Sequence, residues 1–182
     1  FQMGMKIARF PSLYSKGFTP RPVMQFGPVL PLGVESKAEI MDLWVVQELR
    51  SELIAGLNTH LPVGLEILSF EEVDLKEPSL SVAFPFVRYR ASLGEYKETA
   101  VLPLREFEKS SSWPVQHRGR EIDLKRAIRT LGIQGEDLLM EVSISNQDGH
   151  NANPLMVLEK LFGFTLETRG TIPLVKEHLL PQ

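Results

Sequence analysis

The feature that most constrains this chain is the order in which its hydrophobic periodicity changes over the first 73 residues. FQMGMKIARF places Phe1, Met5 and Ala8 on one helical stripe, and Pro11 stops it. LYSKGFTPRP follows, where Gly17, Pro20 and Pro22 enforce a loop or an extended segment. Residues 22–29 read as a strand, broken by Pro28, Pro31 and Gly33. Residues 37–46 (KAEIMDLWVV) alternate and then turn apolar, as a second strand does. Residues 47–60 set Leu49, Leu53, Ile54 and Leu57 at helical spacing, and LPVG ends that helix. Residues 64–73 (GLEILSFEEV) alternate as a third strand.

Helix, strand, strand, helix, strand is the βαββαβ order of a ferredoxin-like domain with its leading strand missing. In that fold the leading strand lies inside the sheet, so its loss exposes unpaired backbone on both sides of a gap. The natural protein is therefore expected to extend upstream of Phe1, or another segment or partner chain to fill the slot. Residues 74–80 (DLKEPSL) read as a linker. After it come a strand over 81–92, with Pro85 marking an edge or bulge, and a short helix over 103–110, with Pro103 in its first turn. WPVQHR is a brief strand. Residues 122–131 fit a helix or a strand, with helix preferred, and 136–145 form a strand. Asn153 caps a helix over 154–163, with Pro154 at its first position and Gly163 at its end, and 170–179 close with a strand. The fold class is α+β: two ferredoxin-like halves with mainly antiparallel sheets, divided as residues 1–74 and 75–182.

The chain has no cysteine. Disulfides, thiolate nucleophiles, Cys-ligated zinc and Cys-ligated iron–sulfur clusters are excluded together. A cytoplasmic location is the default, although a small secreted domain is also compatible. No apolar run reaches eighteen residues, so no transmembrane segment is expected. The net charge of −3 excludes a globally basic nucleic-acid binder but not a local patch. Residues 1–34 carry Lys6, Arg9, Lys16 and Arg21 and no acid, whereas residues 35–77 carry ten acids against three bases.

Within the acid-free opening, Tyr14, Ser15, Lys16, Gly17, Phe18, Thr19, Pro20 and Arg21 interleave aromatic, basic and hydroxyl groups. Bases can stack on Tyr14 or Phe18 while Lys16 and Arg21 meet phosphates, and Gly17 permits close backbone approach. The competing reading is that Tyr14 and Phe18 anchor the loop in the core, since burying an aromatic contributes roughly 1.5–3 kcal/mol. Arg118, Arg120, Lys125, Arg126 and Arg129 form a second basic cluster, with Lys125 and Arg129 on one helical face. It either extends a phosphate-binding surface or is a solvated helix paired with Glu121 and Asp123. Gly33, Glu35, Ser36 and Glu39 follow a PLG turn and either orient a ligand or shape the turn. His60, His117, His150 and His178 show no metal-ligand spacing, and no metal or cofactor is expected. Nucleophile elbows, Walker loops and dinucleotide fingerprints are absent, which favours a binding module over an enzyme.

YSKGFTPRPVMQFGPVLPLGVESKAE resembles the radical-SAM-linked bacterial domain family, a domain of unknown function whose members run "YSqGFnPrPkisf…pLplGveSeaEy" here. The likeness continues through LPVGLEIL, KEPSL, REIDLKRAI and NPLMVLEKLFG, covering nearly the whole chain. It departs at Thr19, where Asn is usual, and in the first helix, where Lys6 and Arg9 replace paired arginines. Members begin earlier, with a strand and a motif resembling "flSHLDl". The resemblance implies a domain fused to, or encoded beside, a radical SAM protein, often near an RNA-processing ribonuclease. That partner carries the CxxxCxxC motif, which this chain cannot supply.

Three expectations follow. The first is an accessory module that binds RNA or docks on a radical SAM enzyme and presents substrate, using Tyr14, Ser15, Lys16, Gly17, Phe18, Arg21, Arg118 and Lys125. The second is a metal-independent ribonuclease, by analogy with the doubled ferredoxin-like RAMP-type proteins, with His117 and Tyr14 or Lys16 as its catalytic groups. The third is a structural interface domain.

Overall fold

The computed structural model describes residues 1–117, 119–144, 151–163 and 171–181. It is a mixed α+β chain that divides into two units: residues 1–27 with 41–78, and residues 28–40 with 79–182. No helix among the described residues is long and apolar enough to cross a membrane.

The first unit holds α1 (Gln2–Ile7) and β1 (Met24–Phe26). Next along the chain is β2 (Glu35–Ser36), which belongs to the second unit, and then β3 (Met41–Leu43) and α2 (Ser51–Asn58) return to the first. β1 and β3 pair antiparallel, with Gln25 opposite Asp42. Met5, Phe10, Ile54 and Leu57 form the buried centre, with Leu43, Val45 and Ile67 packed against it. Met5, Ile54 and Leu57 are stripe residues of the two helices, so the helical spacing does specify that part of this core. Residues 64–73 do not form the expected strand. A strand exists only through a ladder, and no described residue pairs with this one. Ile67 is anchored from outside the segment: the Asn58 amide accepts from its N–H at 2.9 Å and donates to its carbonyl at 3.0 Å.

The second unit continues with α3 (Leu80–Ala83), β4 (Phe86–Ser92), a 3-10 turn at Gly94–Tyr96 and α4 (Lys97–Lys109). Then come β5 (Pro114–His117), β6 (Arg120–Asp123), α5 (Leu124–Ala127), β7 (Ile128–Gln134), β8 (Asp137–Ser143), α6 (Pro154–Phe162) and β9 (Leu174–Leu180). One sheet runs β2-β9-β4-β8-β7, antiparallel throughout except for the parallel β2–β9 pair. β5 and β6 form a separate hairpin. Strand alternation turns Val87, Tyr89 and Ala91 of β4 and Leu138, Met140 and Val142 of β8 inward. There they join Ala100, Leu104 and Phe107 of α4 and Val157, Leu158 and Leu161 of α6 in one apolar cluster. Asn153 Oδ1 accepts from Leu155 N–H at 2.9 Å, and Gly163 closes α6 in the left-handed region, at φ 66°.

Three further element expectations need correction. Pro103 lies inside α4, not in its first turn, because the helix starts six residues earlier. The strand expected from residue 81 starts only at Phe86, after a helical turn that ends ahead of Pro85. The preferred helix over 122–131 survives only as α5. From Ile128 the chain becomes β7, since the hairpin with β8 satisfies its backbone over seven residues.

Candidate nucleic-acid interface

Residues 12–23 build a finger. Leu13 N–H donates to the Trp44 carbonyl at 2.7 Å, and Val23 N–H donates to the Leu13 carbonyl at 2.8 Å. Tyr14 forms an antiparallel bridge with Pro22. The last rung is made twice: Ser15 N–H donates to the Arg21 carbonyl at 2.8 Å, and Arg21 N–H donates to Ser15 Oγ at 3.1 Å. Ser15 thus closes the finger, and its side chain is exposed. Gly17 adopts φ 154°, a region side chains disfavour, and no atom lies within 4 Å of where its Cβ would stand. The turn therefore needs glycine for its backbone, not for space.

Every residue from Tyr14 to Arg21 is exposed. Phe18, at the tip, has a relative accessibility of 109%, and Tyr14 one of 37%. The core-anchor reading of these aromatics does not hold for this finger. The structure instead gathers Tyr14, Lys16, Phe18 and Arg21 on one projection with no acid in it.

The second basic cluster is not a helical face. Arg118 lies outside the described residues. Lys125 is at the start of α5, where its ammonium donates to the Phe107 carbonyl at 2.5 Å and sits 3.9 Å from the centre of the Phe107 ring. Phe107 is in the last turn of α4, so this cation neutralises the negative end of that helix. Arg126 lies 3.9 Å from Asp123. Arg129 is on β7, not on a helix with Lys125, and stacks 3.7 Å from the centre of the Phe86 ring. The Asp123 carboxylate caps α5 and accepts from Trp113 N–H at 2.8 Å. The latter bond, foremost, holds its pKa below the ordinary aspartate value.

His117 ends β5 opposite Arg120 in the hairpin. His150 lies outside the described residues, and no cluster of three or more metal-ligating side chains exists among the described ones.

One constellation was not foreseen as such. Lys176 on β9 is fully buried, and its Nζ donates to Glu39 Oε1 at 2.7 Å and to the Pro28 carbonyl at 3.0 Å. Ser36 Oγ donates to the same Glu39 oxygen at 2.6 Å. Tyr89 is the cross-strand partner of Lys176, and burial, aided by Glu39, pushes its phenol well above the ordinary tyrosine range. The sequence marked Ser36 and Glu39, but nothing local tied them to Lys176. On the other face of β4, Arg88 pairs with Glu141, and Arg90 bridges Glu177 and Asp137. These arginines are occupied by carboxylates, whereas Lys16 and Arg21 in the finger meet none among the described residues.

No curated protein and no solved structure matches the chain. A family described as "Uncharacterized protein conserved in bacteria (DUF2344)" matches residues 1–154 of the 182. That match takes in the finger, the Ser36–Glu39 turn, β4 with Tyr89 and β8, and stops before β9, and the chain belongs to this bacterial family.

Proposed function

We propose that the chain is an accessory module that binds RNA through the finger at residues 14–21. One observation carries this reading: Phe18 stands wholly exposed at the tip of a hydrogen-bonded finger whose only charges are Lys16 and Arg21. An apolar ring held in water contributes nothing to folding, whereas base stacking and phosphate attraction use this combination of groups. The resemblance of YSKGFTPRP to radical-SAM-linked domains supports a role beside such an enzyme, holding an RNA substrate for it in the cytoplasm.

The framework reading is that each half is ferredoxin-like. In the second half, with the β5–β6 hairpin and α5 set aside as an insertion between α4 and β7, the order β4, α4, β7, β8, α6, β9 and the adjacent, antiparallel strands β9-β4-β8-β7 support it. In the first half, support is limited to α1, the β1–β3 pair and α2.

Filter binding of the full chain to a mixed RNA pool tests the proposal. Binding should weaken as salt rises, and Lys16→Ala with Arg21→Ala should reduce it most at low salt and flatten its salt dependence. No retention at low salt, or retention indifferent to both substitutions, would refute it.

A further inference from the structure

We infer that the finger selects unpaired nucleotides over duplex, a specificity that rests on the RNA-binding reading above. The geometry points to stacking as its mode. Among the described residues Phe18 joins neither apolar cluster, so its ring keeps its faces free for a ligand. In a duplex, base faces are already stacked, and reaching one costs a few kcal/mol of unstacking. In a single strand they are available at once.

The rest of the tip argues the same way. Reading a duplex by its edges requires side chains that enter a groove and offer directed donors or acceptors, and the major groove of A-form RNA is too deep and narrow to be read. Between Lys16 and Arg21 stand only Gly17, Phe18, Thr19 and Pro20. Thr19 is the sole side-chain hydrogen-bonding group among those four. A site that stacks one base on Phe18 and pairs adjacent phosphates with Lys16 and Arg21 discriminates strandedness and is tolerant of sequence. The double rung between Ser15 and Arg21 and the prolines at 20 and 22 fix the finger before it binds, so little entropy is lost on contact.

The test is fluorescence anisotropy of the full chain with a labelled ten-nucleotide oligouridylate, an oligoadenylate of the same length, and a ten-base-pair RNA duplex. Both single strands should bind at least tenfold tighter than the duplex. Phe18→Ala should weaken single-strand binding at least about fivefold, while Phe18→Trp retains it. Two phosphate contacts predict a slope of log K against log salt of about −1.4 for the finger's contribution. Because Phe18 packs on nothing in either core, its substitutions leave the fold intact, which circular dichroism checks.

If no RNA binds, the RNA reading itself fails. If RNA binds but the duplex competes equally, or Phe18→Ala is neutral, RNA binding survives and the stacking inference is overturned. Vesicles of phosphatidylglycerol and phosphatidylcholine form the other arm. Phe18-dependent adhesion to them without RNA binding would make the finger a membrane anchor and overturn both.

Discussion

Lys176 Nζ lies 2.7 Å from Glu39 Oε1, across 137 residues of sequence, and the lysine is sealed from solvent while the carboxylate is half-exposed. The ammonium needs that carboxylate and the Pro28 carbonyl, because an uncompensated buried charge is costly. Glu39→Ala should lower the unfolding free energy by about 2 kcal/mol, discounted from a fully buried pair for the exposure of Glu39. Adding Lys176→Met should restore part of that loss, since the methionine fills the space without a charge. Urea denaturation of Glu39→Ala, Lys176→Met and the double variant measures it; a double variant as weak as the sum of the two singles would refute the coupling.

Acid should weaken the second unit through identified carboxyls. The Arg90 guanidinium holds Glu177 below its ordinary pKa, and the Trp113 N–H does the same for Asp123. Both groups therefore bind protons more weakly when folded than when unfolded. Their stabilisation is complete above the ordinary carboxylate range and is lost as pH falls through their lowered values, below about pH 4. Urea midpoints taken from neutral pH downward should fall, and less steeply in Asp123→Asn.

Tyr89 should resist ionisation for as long as the sheet persists. Its ring is buried between the strands and the helices, and Glu39 adds a repelling charge. An alkaline titration followed by tyrosinate absorbance should leave one phenol unionised until the protein unfolds. Tyr89→Phe should abolish that late step; if the step persists, another tyrosine is responsible.

Removing the α6 cap should be measurable by itself. Asn153→Ala takes away the acceptor for Leu155 N–H and should cost about 1 kcal/mol in thermal or urea unfolding.

What was legible in the sequence follows the range of the forces involved. The α6 boundaries rest on Asn153, Pro154 and Gly163, all within the helix or beside it, and the structure has them as expected. The finger too is local: Gly17, Pro20 and Pro22 announced a turn, although exposure of Phe18 could not be read from neighbours alone. Residues 122–131 are ambiguous in the sequence because their apolar spacing suits a helix or a strand. Pairing with β8, a tertiary effect, decides it. The Lys176–Glu39 pair left no signal, because neither residue has an unusual local setting. Pro103 misled because proline usually begins a helix, while α4 tolerates it seven residues in.

The passage of residues 28–40 into the second unit bears on how the gene can be dissected. The chain enters that unit at Pro28, leaves it at Ile40 and re-enters at Ser79. A single scission near residue 78 leaves the C-terminal fragment without β2 and strips Lys176 of both its oxygen acceptors. Such a fragment would carry a stranded cation in its interior, so a shuffled chain that reinstates 28–40 is the minimal unit to express.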